Sequence, residues 1–222
     1  LRSDREKYEQ FYKAFGLQLK YGLYSDYGMH KDVLSDLVMF ISSFDKKYVT
    51  LEEYVSRMKE EQKYIYFISA ETIERAEHLP QTELLKEKGY EVLYLTDDVD
   101  EFALQMLGTY NEKQFKNAAS GDLELESEDE KKENEKLAEE NKELLDAMKE
   151  ALDGLVVSVK LSTRLKTHPV CLSSEGAISI EMEKVLNSMP TDQKVQAQRV
   201  LEINASHPVF AKLSELAKTD KE

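Results

Sequence analysis

Tyr64-Ile65-Tyr66-Phe67-Ile68 is an unbroken apolar run of β-formers, and Val92-Leu93-Tyr94-Leu95 is a second. Side chains alternate sides along a strand, so a run that is apolar at every position is one covered on both faces. Between the two runs, Thr72–Glu77 has helical spacing and Pro80 interrupts it. Thr82–Lys88 then reads as another helix, closed by Gly89, which suits the left-handed conformation of a C-terminal cap. Strand, helix, strand predicts a parallel βαβ unit with a right-handed crossover. Val99, Phe102, Ala103, Met106 and Leu107 follow on one side of a further helix. The expectation is a small three-layer α/β/α subdomain over residues 63–121.

Upstream, residues 1–62 read as a helical connector. Tyr8, Phe11, Tyr12, Phe15 and Leu19 fall on one helical face, and Val33, Leu34, Leu37, Val38 and Ile41 repeat the pattern. Thr50 with Glu53 three residues on predicts a capping box, starting a helix that buries Leu51, Tyr54, Val55 and Met58.

Downstream the composition shifts. Between Asp122 and Glu143 there are 11 acidic and 4 basic residues, half of the chain's net charge of −14. The stretch SGDLELESEDE (Ser120–Glu130) reads as a solvated linker, and Leu137, Leu144, Leu145, Met148 and Leu152 restore helical spacing up to Gly154. Beyond it, Leu155, Val157, Val159 and Leu161 alternate like a half-buried strand. Pro169–Leu172 suits an edge strand because Pro cannot donate to a ladder, and Val200–Ile203 suits another strand. Ile178, Met182, Val185, Leu186 and Met189 trace a helical stripe, and a last helix begins near Ser206. Residues 122–222 are thus expected to form a mixed α+β domain, and the fold class of the chain is α/β followed by α+β.

Composition excludes several classes. With 41% apolar residues in a chain of 222, there is enough to build cores, which argues against disorder. The 44 Asp and Glu against 30 Lys and Arg argue against binding nucleic acid, which rests on neutralising phosphates. The single cysteine, Cys171, cannot form an internal disulfide and fits a reducing, cytoplasmic setting. No apolar run approaches the roughly 20 residues of a membrane span. LRSDREKYEQ (Leu1–Gln10) is no signal peptide, lacks an initiating Met and starts inside a helical pattern, so the chain is expected to be a piece of a longer protein.

Signals of enzyme chemistry are sparse. The eight glycines form no phosphate-cradling loop, and His30, His78, His168 and His207 match no metal spacing. Cys171 reads as a small buried strand residue. Asp97, Asp98, Asp100 and Glu101 stand where a strand turns into a helix. Asp97, Asp98 and Asp100 with a metal would make a small acidic α/β enzyme; the plainer reading is that these carboxylates cap a helix and complement its dipole. A non-catalytic interaction scaffold is the remaining alternative. On pattern alone, Phe102 and the Ile178–Met189 stripe are core faces.

The residues also carry a resemblance. TLEEYVSRMKEEQKYIYFISAET (Thr50–Thr72) resembles the middle domain of the heat-shock protein 90 chaperones of the bacterial HtpG type. The likeness continues through LLKEKGYEVLYLTDDVDEF (Leu84–Phe102) and the acidic KKENEKLAEENKELLDAMKEAL. It resumes in VSVKLSTRL (Val157–Leu165), ISIEMEKVL and VLEINASHPVFAKL (Val200–Leu213). Met39 stands where that family often has Arg, and the segment after Gly121 matches only in being acidic.

The resemblance implies a division of the chain. Residues 1–62 are the helical connector and end of the large middle subdomain, 63–121 the small middle subdomain, and 122–222 part of the C-terminal dimerisation domain. By the same resemblance, the family binds non-native clients and assists folding under stress. Its ATP and Mg are held by an N-terminal domain outside this chain, so no catalytic centre, cofactor or metal is expected here. Relatives are homodimers through helices near the end of the C-terminal domain, so this chain is expected to be a monomer or a weak dimer. Client-contacting positions match Glu101, Phe102 and Gln105 on one helix and Ile178, Met182, Val185 and Leu186 on another. For the latter the resemblance favours exposure over burial, with Glu175, Glu181 and Glu183 keeping the patch soluble and attracting basic clients.

Overall fold

A computed structural model describes residues 3–190 and 193–219. Leu1, Arg2 and the charged tail after Thr219 lie outside the described residues. Two compact units are present: residues 1–78 with 85–118, and residues 79–84 with 119–222.

The first unit is built on the two apolar runs. They form β3 (Tyr64–Ser69) and β4 (Val92–Leu95), paired in parallel with Phe67 opposite Leu93. A mixed six-stranded sheet extends them, in the order β2-β1-β4-β3-β6-β5. Here β1 is Met39–Ser42, β2 Tyr48–Thr50, β5 Thr109–Tyr110 and β6 Lys113–Asn117. The helices are α1 (Arg5–Ser25), α2 (Lys31–Leu34), α3 (Leu51–Ser56), α4 (Ile73–Glu77) and α6 (Asp100–Leu107). A 3-10 turn at Pro80–Thr82, which belongs to the second unit, precedes α5 (Glu83–Glu87), whose residues from Leu85 on belong to the first. Ile65, Phe67, Leu93 and Leu95 meet Leu23, Leu51, Tyr54 and Leu104 in one core. Tyr66, Ile68, Val92 and Tyr94 alternate to the other face and are as deeply buried. Burial of each such side chain contributes about 1.5–3 kcal/mol.

Two expectations fail in this unit. The spacing from Val33 to Ile41 does not continue a helix: α2 ends at Leu34, and Met39–Ser42 is a strand in an antiparallel hairpin with β2. Ser42 and Asp45 side chains accept the amides of Phe44 and Lys47 and close that turn, while Lys46 takes φ 59°. The buried face of α1 is also displaced from the aromatic stripe. It consists of Tyr12, Gly16, Lys20 and Leu23, whereas Phe11 and Phe15 are exposed. The expected capping box is present: Thr50 Oγ1 accepts the Glu53 amide, and Glu53 accepts the Thr50 amide.

The second unit has a three-stranded sheet in the order β7-β9-β8, with β7 Ser158–Leu161, β8 Val170–Glu175 and β9 Gln198–Ile203. As expected, β8 is an edge strand. The helices are α7 (Glu128–Glu140), α8 (Lys142–Ala151), α9 (Ile180–Ser188) and α10 (Pro208–Thr219). Leu145, Leu161, Ile203 and Phe210 form its core. The stretch expected to be a solvated linker is more ordered than that: Leu123 is buried, and Ser127 with Glu130 forms a capping box that starts α7. High charge density masked an S-x-x-E signal that was in the sequence.

Within this unit Glu83 accepts the amides of Lys166 (2.6 Å) and Thr167 (3.1 Å), the Thr167 hydroxyl, and Nδ1 of His168 (2.5 Å). Burial pushes its carboxyl up, but the Lys166 amide and the other donors outweigh it, and the pKa falls to about 2. A carboxylate depressed in the folded state stabilises above its unfolded pKa of roughly 4.3, and that stability is lost as pH falls toward 2. Glu83→Gln should therefore flatten the acid limb of this unit's stability below about pH 4.3, read by amide exchange at Val200 and Leu201.

Candidate functional site

Helix α6 begins after β4, with Asp100 and Glu101 in its first turn and Gly108 (φ 71°) ending it by donating to Leu104 O at 2.9 Å. Its sequence-predicted residues have different surroundings. Glu101 is buried and accepts from Ser69 Oγ and Asn117 Nδ2, which ties the helix to β3 and β6. Phe102 is also buried, beneath the ring of Tyr24 from α1 at 5.4 Å, edge to face. Of the three, only Gln105 is exposed. Core spacing predicted Phe102 correctly.

The carboxylates before α6 do not make a metal site. Lys20, 3% exposed, lies 2.6 Å from Asp100 Oδ1 and 2.9 Å from Asp97 Oδ2. Its ammonium also stands 4.9 Å from the Phe40 ring centre, within cation–π range. Burial pulls the Lys20 pKa down, but Asp100, Tyr12 and Asp97 outweigh it and the net shift is upward. The position a cation would take between Asp97 and Asp100 is held by this ammonium, so nothing here supports a metal-dependent enzyme built on these carboxylates. Nor do Asp97 and Asp100 cap the helix in the ordinary way, since Val99 is the N-cap. Asp100 Oδ2 instead accepts the Asp97 amide at 3.2 Å while the Asp100 amide donates to Asp97 O at 2.9 Å. Among the described residues no group of His, Cys, Asp or Glu could hold a metal ion.

Helix α9 is started by Ser179, whose hydroxyl accepts the Met182 amide at 3.0 Å. The stripe on it is graded rather than uniformly exposed. Met182 is 6% exposed and belongs to the interior, which corrects the expectation of exposure at that residue. Ile178, Val185 and Leu186 are half-buried, and Met189 is 38% exposed. The neighbouring acids are engaged: Glu183 with Arg199 (2.9 Å) and the Ala197 amide, Glu181 with Lys184 (2.8 Å), Glu175 with Lys160 (3.9 Å). The Arg199 hydrogen bond, foremost, lowers the Glu183 pKa. Cys171 is buried on β8, and burial pushes its thiol up to about 12, which suppresses thiolate chemistry.

Sequence reading missed the apolar groups that stand out beside α6. Tyr27 and Met29, in the turn after α1, are 85% and 77% exposed. Exposure of single residues in a turn leaves no periodic signal.

Among the described residues no helix is long and apolar enough to cross a membrane. A family model described as "Hsp90 protein" matches residues 1–222. The chain is 58% identical over 222 residues to "Chaperone protein HtpG" of Clostridium perfringens, covering all of this chain and 35% of the relative. It is 56% identical over 219 residues to the protein of that name in Bacillus licheniformis, covering 99% of this chain and 35% of the relative. Over 222 residues it is 52% identical to that of Bacillus subtilis, covering all of this chain and 36% of the relative. It thus spans about a third of the length of these curated relatives. By the match along its whole length and these identities, the chain belongs to the Hsp90 protein family.

Proposed function

We propose that this chain is the client-binding and coupling part of an ATP-dependent molecular chaperone that assists the folding of non-native proteins under stress. The observation that carries this reading is identity above half, along the whole chain, to proteins named chaperone HtpG. The chain itself carries no catalytic centre; ATP and Mg belong to a part of the full-length protein outside it. The full-length protein works as a homodimer in the cytoplasm, and its partners are unfolded or partly folded polypeptides rather than nucleic acid or membrane. Residues 63–121 and 122–222 correspond to the small middle subdomain and the C-terminal domain. Client contact involves Gln105 on α6, Val185 and Leu186 on α9, and Ile178 just before α9, while the buried Glu101, Phe102 and Met182 hold these helices in place. The half-buried and exposed members of α9 support this, since a partly exposed apolar stripe can bury client surface at about 25 cal/mol per Å².

The test is whether the purified 222-residue chain slows the aggregation of heat-denatured citrate synthase while hydrolysing no ATP. Leu186→Ser with Met189→Ser should weaken that protection and leave the fold intact. Met182→Ser would be uninformative for binding, because loss of a buried Met side chain costs about 2–5 kcal/mol of stability. Steady ATP turnover by the chain, or no effect on aggregation, would overturn the reading.

A further inference from the structure

We infer that Glu183 and Asn187 form a clasp that holds α9 closed against residues 194–199, and that α9 opens as a flap when the clasp releases, uncovering Met182. The clasp is a property of the second unit by itself. That it governs how much apolar surface α9 offers rests on the chaperone reading.

Packing alone holds α9 weakly. Of its nine residues only Met182 is buried, while Val185 and Leu186 are half-buried. A helix this short is marginal in water and depends on its tertiary attachments. The chain is exposed on both sides of it. Glu175, Gly176 and Ala177 precede it in the open, and Gly176 takes φ 81°, which glycine reaches without strain. Met189 ends it in extended backbone, and Pro190 cannot continue the helix.

The polar tie runs to one segment. Asn187 Nδ2 donates to Val195 O at 2.8 Å, and Asn187 Oδ1 accepts the Val195 amide at 2.9 Å. Glu183 lies four residues earlier and so on the same helical face. It accepts the Ala197 amide at 2.7 Å and Arg199 Nη2 at 2.9 Å. Lys194 Nζ donates to Asn187 O at 2.8 Å, placing a cation at the helix's C-terminal carbonyls. The far side of the clasp is fixed, because Ala197 is buried and the segment runs straight into β9, the central strand. The near side is a short helix between exposed links. Each hydrogen bond exchanged for one to water favours the closed form by only about two- to tenfold. Elements held this way open locally without unfolding the domain around them.

The experiment uses the full 222-residue chain and its Asn187→Ala variant. Alanine is the better helix former, so this change strengthens α9 as a helix while removing one half of the clasp. Amide exchange is followed at Val185 and Leu186, and at Val200 and Leu201 of β9 as the control for the fold. Oxidation of Met182 by dilute peroxide is followed by mass spectrometry, with Met29, 77% exposed in the first unit, as the reference. Expected are exchange in α9 and oxidation of Met182 about tenfold faster, β9 unchanged, and stronger protection of citrate synthase at equal concentration. Glu183→Gln keeps an oxygen for the Ala197 amide and should accelerate the same two rates by less. Unchanged exchange and oxidation in Asn187→Ala overturn the clasp and leave the chaperone reading standing. Faster exchange with Met182 still shielded means that α9 frays in place, and equal acceleration at β9 means that the unit opens as a whole; either overturns the flap. Faster oxidation with unchanged protection overturns its role in offering apolar surface. A wild-type chain that protects nothing overturns the chaperone reading, while exchange and oxidation still decide the clasp.

Discussion

Lys20→Met is expected to destabilise the first unit by about 3–5 kcal/mol, because it leaves a buried carboxylate without its cation. Asp97 can turn toward water, its side chain being 45% exposed, but Asp100 at 2% cannot. The hydrophobic gain of a Met in the slot between Phe40 and Tyr12 is smaller than that penalty. The amides of Ile65 and Leu93, in fully buried residues of the sheet strands β3 and β4, should lose about a hundredfold to a thousandfold of protection. On the Lys20 side the wild-type pair is insensitive to pH over the ordinary range: a Lys raised above its unfolded pKa contributes in full below that value and loses its contribution only as pH rises past it. On the other side, burial holds the Asp100 carboxyl above its ordinary value although Lys20 pulls it down. Without Lys20 that downward pull is lost and the Asp100 pKa rises further, so taking up a proton relieves more of the penalty. The deficit should therefore shrink as pH falls from 8 to 5. Adding Asp100→Leu to Lys20→Met should recover most of the loss at all pH values, since a buried ion pair exchanged for apolar groups is often neutral. A Lys20→Met deficit below about 1 kcal/mol would mean the pair behaves as a solvated one.

No periodicity could have shown Lys20 in the core. The face it shares with Tyr12, Gly16 and Leu23 holds only two large apolar residues, while Phe11 and Phe15 offered a stronger pattern that turned out to face outward. Apolar spacing finds a helix readily and finds its buried face only when polar residues stay out of it. The same limit explains β1. Val33 to Ile41 has helical spacing, but Met39-Phe40-Ile41 is a continuous apolar run before a turn closed by Ser42 and Asp45, and sheet pairing with β4 decided it. Tyr64–Ser69 and Val92–Leu95 were legible because a run buried on both faces permits little else. The polar strand Lys113–Asn117 was not, its place being set by pairing with β3. The candidate site followed a similar division. Apolar spacing found both α6 and α9 and rightly put Phe102 inside, while resemblance alone assigned them client contact; the exposed turn at Tyr27 and Met29 could be found only from coordinates.

Arg164→Met should have an effect of the same order on the second unit, about 3–5 kcal/mol, by the same logic in a different setting. Glu202 lies on β9, the central strand, at 1% exposure, with Arg164 Nε 3.0 Å from its Oε2 and the Ser162 hydroxyl donating at 2.8 Å. Arg164 also donates from Nη2 to Ser120 O at 2.5 Å, so one guanidinium holds a strand and a connecting segment. Arg164→Lys should not rescue it, because an ammonium lacks the planar fork that reaches both acceptors. Cys171 provides the readout. It is the only cysteine in the chain, it is buried, and it stands opposite Glu202 in the β8–β9 register. A thiol raised to about 12 and shielded from reagent is alkylated only when the unit opens. If opening and closing are fast relative to alkylation, the labelling rate tracks the opening equilibrium, and Arg164→Met should accelerate it about a hundredfold or more. Arg164→Met with Glu202→Leu should return it close to the wild-type rate. Acceleration by the single variant that the double variant fails to reverse would assign Arg164's role to its Ser120 contact instead of its charge.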